Sequence, residues 1–285
     1  MQQWIHTHLL LARASNLPTV WANVACVFLL IGGRDHCLLL SLCCLATLFY
    51  TGGMYLNDWA DSEFDLQHRS GRPIPSGRIQ RSTVLYCAIT YLGVAWIAGL
   101  AFGFSSFISG TVLLGLIIWY DLQHKGNRWS PVLMGGCRAC LYLWTALTVA
   151  GHLSLEIVVI SCVIWGYVIG ISLVARGGFQ QRGGKVVAMS SIAGLLMLGL
   201  WMHPVSLGMA GVMLGIFALW LSYSLRGFGA TLPSVDATVS RLLAGLVLFD
   251  LYWVVCAVDI GIAEWLLFSV LFVITLLFQM KIPAT

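Results

Sequence analysis

Four of the eleven carboxylates in this 285-residue chain fall within eight positions, inside the stretch YLNDWADSEFDLQHRSGRPIPSG (residues 55–77). Asp58, Asp61 and Asp65 are spaced by three and four, so a helix running through them presents all three on one face, with Asn57 beside them. Unpaired, such carboxylates repel. A row of oxygen ligands at a helix end suits a hard cation such as Mg²⁺, which keeps several waters and binds through one or two carboxylates plus phosphate oxygens. Directly downstream come His68, Arg69, Arg72, Arg78 and Arg81; guanidinium groups clamp phosphate oxygens in pairs. Acids for a metal followed by arginines for an anion describe a metal–diphosphate site. An interfacial loop carrying ordinary solvated charge has the same spacing, so on spacing alone both alternatives stand.

The elements that must position these residues are apolar. Hydrophobic residues make up 59% of the chain and charged residues 9%, with a mean hydropathy of +0.90, against roughly 45–50% apolar and about 25% charged in soluble domains. Apolar segments long enough to cross a bilayer recur near residues 17–33, 37–57, 83–103, 105–121, 132–150, 155–175, 186–202, 204–224, 239–258 and 262–280. Ten spans are expected, or nine if two short ones pair as a broken segment. Backbone groups in lipid must be paired internally, and the alternation of barrel strands is absent. The expected fold is therefore all-α: a polytopic membrane helical bundle of nine to ten transmembrane helices, forming a single domain over residues 1–285. The polar lead, residues 1–16, lacks a small-residue cleavage site, so a removable signal peptide is not expected.

Lys and Arg gather on one side of this topology. Arg69, Arg72, Arg78, Arg81, Lys125, Arg128, Arg138, Arg176, Arg182, Lys185, Arg226 and Arg241 lie on or near even-numbered connections, joined by Arg13 and Lys281, and Arg34 alone falls on the other side. The positive-inside rule then puts both termini and the acidic cluster in the cytoplasm, as in a bacterial inner membrane. A net charge of +4 without a contiguous basic run excludes nucleic acid as a partner. The nine cysteines, including the Cys137/Cys140 CxxC, lack the second pair or the histidine of a zinc set and read as packing. The GxxxG pairs Gly99/Gly103 and Gly211/Gly215 read as close helix contacts.

The motifs carry a family resemblance. NDWADSEFD (residues 57–65) is similar to the NDxxDxxxD motif of the UbiA superfamily of intramembrane prenyltransferases, and RPIPSGRI (residues 72–79) resembles the RPLPSG segment that follows it there. RASNLPTVWAN (residues 13–23) resembles that family's first helix start, with Arg13 and Asn16 as its polar pair. WYDLQHK (residues 119–125) is similar to its tyrosine-to-lysine segment, and GGCRACLY (residues 135–142) to its fifth-helix start. The resemblance implies a UbiA-like bundle with a central cavity and Mg²⁺ held by Asn57, Asp58, Asp61 and Asp65, the three aspartates being the catalytic acids. Arg13, Asn16, Arg72, Tyr120, Lys125, Arg138 and Arg176 would contact the diphosphate. The implied reaction transfers a prenyl group from a prenyl diphosphate to a lipophilic, aromatic acceptor drawn from the membrane. A terpene cyclase of the same superfamily, and a non-catalytic membrane protein that binds or exports a lipophilic metabolite, are the alternatives.

One departure stands out. The family's second aspartate motif belongs at the cytoplasmic end of the sixth span, where this chain reads YVIGISLVARGGFQQRGGKVV (residues 167–187) without one carboxylate. The nearest acid in that span, Glu156, lies at its other end, about 25–30 Å away in a regular helix. Arg176, Arg182 and Lys185 stand in the segment instead, and SLVARGG (residues 172–178) is similar to the EboC-like branch of UbiA-related proteins. Of the isolated polar residues, Asp250 reads as a helix–helix anchor ahead of an acceptor contact. Asp121 serves equally well as a carboxylate near the site or as an interfacial helix end. The seven histidines are scattered without ligand spacing.

Overall fold

The protein is described by a computed structural model over residues 2–176, 194, 207–226 and 234–283. The described residues form helices α1 (Gln2–Leu11), α2 (Leu17–Leu30), α3 (His36–His68), α4 (Arg81–Ala98), α5 (Phe104–Gln123), α6 (Ser130–Ala150), α7 (Leu155–Ala175), α8 (Leu207–Arg226), α9 (Val235–Ala257) and α10 (Ile262–Gln279). Short 3₁₀ turns lead into α2 (Ala14–Asn16) and follow α4 (Gly99–Phe102). Eight of these helices are long and apolar enough to cross a membrane, and Ala14–Leu30 is a shorter apolar one. The expected span near residues 186–202, with Arg182 and Lys185 before it, lies outside the described residues.

Local chemistry sets the helix ends. The Asp35 carboxylate accepts from the backbone N–H groups of Cys37 and Leu38, at 2.8 and 3.2 Å, and starts α3. Ser154 and Ser234 cap α7 and α9 in the same way. Pro18 and Pro131 sit in the first turns of α2 and α6, where a missing N–H is harmless. Gly151 closes α6 in the left-handed region, φ 72°.

Two helices form the centre. α2 packs against α3, α6, α9 and α10, and α9 packs against α2, α7, α8 and α10. In α9, 83% of the most apolar window is buried within the protein, against 17% in α10, whose large side chains face outward. Outward apolar residues such as Tyr86, Phe104, Leu219 and Ile262 are what a lipid-facing surface requires.

A buried polar network ties the centre together. Asp250 of α9 accepts from Asn23 Nδ2 of α2 at 2.6 Å and from the Tyr142 hydroxyl of α6. Arg138 of α6 donates to Asn23 Oδ1 at 2.6 Å and to Thr19 Oγ1 at 3.3 Å. Asp250 is therefore a helix–helix anchor, since its carboxylate is completely buried and meets groups from two other helices.

The polar lead contains a helix that the apolar-span reading did not include: residues 2–11 form α1, whose His8 Nδ1 lies 2.6 Å from the Tyr55 hydroxyl. Gln, His and Thr mask its helical character in a hydropathy scan. The expectation for the GxxxG pairs needs correction among the described residues. A Cβ at Gly211 or Gly215 meets none of them within 4 Å and Gly103 serves a turn at φ 103°, while Gly99 alone approaches α5, where a Cβ would come 3.7 Å from Ser106. Close approach occurs elsewhere, at Gly52 against Leu92 and Gly135 against Trp165.

Two variants test this packing. A Cβ at Gly135 would lie 2.5 Å from the Trp165 ring and 2.7 Å from its carbonyl, so Gly135→Ala forces α6 and α7 apart and should cost about 1–3 kcal/mol. Asn23→Ala takes one hydrogen bond from each of Asp250 and Arg138, leaving them Tyr142 and Thr19, and should cost about 1–3 kcal/mol. Both appear as lowered melting temperatures in detergent, and an unchanged Asn23→Ala midpoint would show that the network carries no stability.

Candidate active site

α3 does not stop where its apolar part ends. It continues as one helix to His68, so Asn57, Asp58, Asp61 and Asp65 keep their helical spacing, and Asn57, Asp58 and Asp65 are buried. Each acid meets bases delivered by other elements. Arg13 follows α1 in the left-handed region, φ 42° and ψ 52°, where a non-glycine residue is strained. That backbone turns its side chain onto α3: Nη2 donates to Asn57 Oδ1 at 3.1 Å and lies 3.5 Å from Asp58 Oδ1. Arg72, in the loop after α3, donates through Nη1 to Asp58 Oδ1 at 2.8 Å, with Nε 3.7 Å from Asp65 Oδ2. Asp61 Oδ1 lies 2.8 Å from Lys125 Nζ and 3.2 Å from His124 Nε2. Lys125 Nζ also sits 4.1 Å from the Phe64 ring centroid.

The electrostatics follow from this crowding. Burial and the neighbouring Arg13 lower the pKa of the Arg72 guanidinium. Burial opposes the charge on Arg13 as well, but Asp58, with smaller contributions from Tyr50, Tyr120 and Asp121, outweighs it and raises its pKa. A guanidinium stays protonated through either change. Both remain cations that can pass from a carboxylate to an incoming anion.

A cavity of about 350 Å³ opens beside these residues. Of the predicted diphosphate contacts, Arg13, Asn16, Tyr120, Arg138 and Arg176 line it, whereas Arg72, Lys125 and the four α3 residues do not. Val20, Phe49, Leu113, Ile117 and Val168 give it an apolar wall. Arg176, at the end of α7, is held by Asn127 O at 3.0 Å and by the Ser130 hydroxyl. The Tyr120 ring stacks on His124 with centroids 5.2 Å apart.

Sequence reasoning missed His124 and gave Asp121 no preference. His124 hides because a lone histidine has no ligand spacing until Asp61 faces it. Asp121, 2% exposed, is the carboxylate on the cavity wall. Its Oδ1 accepts from Asn57 Nδ2 at 3.3 Å, and its Oδ2 has no partner among the described residues.

The donors suit Mg²⁺ in kind, all of them hard oxygens; Asp61 Oδ1 is engaged by Lys125 and His124, whereas Asp121 Oδ2 meets no partner among the described residues. Among the described residues no three acidic, histidine or cysteine side chains converge into a ready-made cage. Mg²⁺ bound jointly with phosphate oxygens does not require one.

Chloroplastic chlorophyll synthase of Avena sativa is 27% identical over 245 residues, 75% of this chain and 60% of that protein. Protoheme IX farnesyltransferase 2 of Mesorhizobium japonicum is 25% identical over 206 residues, 60% of this chain and 63% of that protein. The chain thus spans less than two thirds of the length of either relative. A UbiA homolog from Archaeoglobus fulgidus, solved bound to DMAPP and Mg²⁺, shares the fold with a TM-score of 0.64. The match covers 87% of this chain and 97% of that one, at 11% identity. The protein is an integral, multi-pass membrane protein. A sequence profile of the UbiA prenyltransferase family matches residues 15–228, and the chain belongs to that family.

Proposed function

We propose that the protein is a Mg²⁺-dependent intramembrane prenyltransferase, moving a prenyl group from a prenyl diphosphate to a lipophilic, aromatic acceptor. The observation that carries this reading is the convergence of the α3 acids with Arg13, Arg138 and Arg176 beside one apolar cavity. The printed activities of the relatives and the DMAPP and Mg²⁺ of the A. fulgidus homolog support it.

Asn57, Asp58, Asp61 and Asp65 would hold Mg²⁺, which when bound supplies Lewis-acid neutralisation of the diphosphate oxygens. Arg13 and Arg72 are paired with carboxylates in the ligand-free protein and exchange them for diphosphate oxygens as substrate arrives. Lys125, Tyr120, Asn16, Arg138 and Arg176 complete the anion's surroundings, donors aimed at charge that grows as the diphosphate leaves. The apolar wall takes the isoprenoid tail and keeps water from the allylic cation. The acceptor attacks that carbon, the carbon–oxygen bond to diphosphate breaks, and the acceptor loses a proton. The Lys and Arg bias puts the site and both termini on the cytoplasmic side.

A second reading rests on one observation: α7 ends in Arg176 where an acidic motif is expected, which also fits a non-catalytic carrier of a lipophilic metabolite. The two readings separate by binding of a labelled prenyl diphosphate series to the protein in lipid nanodiscs, with and without Mg²⁺. The transferase predicts saturable, Mg²⁺-dependent binding that Asp61→Asn removes; binding indifferent to Mg²⁺ would favour the carrier. Arg176→Gln removes a charge-assisted contact and should weaken diphosphate binding about 10- to 100-fold without altering the melting temperature of the ligand-free protein. Wild-type affinity in this variant would remove Arg176 from the site.

A further inference from the structure

We propose that Asp121 is a cation-ligating carboxylate of this site, presented from α5 where α7 offers no acid. The inference rests on the prenyl diphosphate reading above and adds a ligand to it. Asp121 is 2% exposed on the wall of the cavity. Asn57, hydrogen-bonded to its Oδ1 at 3.3 Å, fixes the carboxylate's direction. Oδ2 is left buried and without a partner among the described residues. Gly53 of α3 faces this part of α5, where a Cβ would come 3.0 Å from Ile117 Cγ2 and 3.8 Å from that oxygen.

An unpaired carboxylate oxygen in an apolar helical bundle is expensive. The basic side chains on the same wall are directed elsewhere: Arg13 to Asn57 and Asp58, Arg138 to Asn23 and Thr19, Arg176 to Asn127 and Ser130. A diphosphate entering the cavity would be repelled by Asp121 unless a cation stood between them. A hard divalent cation between Asp121 and the diphosphate would resolve both problems.

The test is Mn²⁺ binding, read by electron paramagnetic resonance on the full chain in nanodiscs with dimethylallyl diphosphate present, alongside melting temperatures with and without Mg²⁺. Asp121→Asn keeps an acceptor for Asn57 and removes the charge; Asp121→Ser is the second variant should the amide not be tolerated. The expected result is Mn²⁺ affinity weakened about ten-fold or more, with a cation-free melting temperature equal to or above wild type, because a buried charge has gone. Mg²⁺ should raise the wild-type melting temperature more than that of the variant at the same concentration. Wild-type Mn²⁺ affinity in both Asp121 variants, with Asp61→Asn deficient, would overturn the role of Asp121 and leave the proposed site intact. A lowered cation-free melting temperature with unchanged Mn²⁺ affinity would mark Asp121 as a structural hydrogen-bond partner and overturn the proposal equally. Failure of the wild type to bind Mn²⁺ would overturn both readings together.

Discussion

Asp58 is shared between two arginines that come from different parts of the chain, and the architecture of this end of the bundle depends on that sharing. Arg72 reaches it from the loop after α3, and Arg13 reaches it from a left-handed turn between α1 and α2. A strained residue persists only where its surroundings over-determine it, and Asn57 together with Asp58 supplies that determination. One carboxylate thus fixes where α2 begins and how the loop after α3 folds back. It also holds two guanidinium groups together that would otherwise repel. In ligand-free protein the pairs keep buried charges from standing alone, since breaking a buried pair by removing one partner is costly. In the proposed complex the same groups are available for exchange, because the anion supplies the arginines with oxygens while the cation occupies the acids.

The polar network deeper in the bundle is a separate system. Asn23, Asp250 and Tyr142 are satisfied by one another across α2, α6 and α9, and they tie together helices that apolar packing alone holds weakly in lipid. Arg138 belongs to both systems. It lines the cavity while its hydrogen bonds run to Asn23 and Thr19. A ligand that drew Arg138 toward the cavity would disturb the anchor, so binding and helix packing are coupled through this one side chain.

The sequence made most of the bundle legible, because apolar length alone identifies membrane helices. Nine of the ten expected spans have a helix among the described residues. The α3 motif was legible for a different reason, since spacings of three and four mean one face only if the helix continues, and it does continue to His68. Hidden residues were those whose meaning depends on a partner far along the chain. Asp121 is a lone acid after an apolar run, and nothing local shows that Asn57 meets it across 64 positions. His124 likewise gains its role from Asp61. α1 was missed because hydropathy is blind to a polar helix, and the glycine pairs misled because their spacing says nothing about which face meets a neighbour.

Charge bookkeeping explains how a family site could work with a non-acidic α7. Two carboxylates together with a divalent cation sum to no net charge, so losing that set together does not by itself starve a diphosphate of positive neighbours. A guanidinium at the same helix end then adds one positive charge that needs no metal and is fixed by Asn127 and Ser130. It differs from a metal in what it can do. A guanidinium donates hydrogen bonds in fixed directions and cannot be shared with a carboxylate ligand as an ion can. In the proposed complex a cation beside the diphosphate would therefore take more of the growing charge and would need carboxylates close to the cavity. The α3 acids do not line that cavity and Asp121 does, so in the proposed complex the strongest demand would fall on the α5 carboxylate.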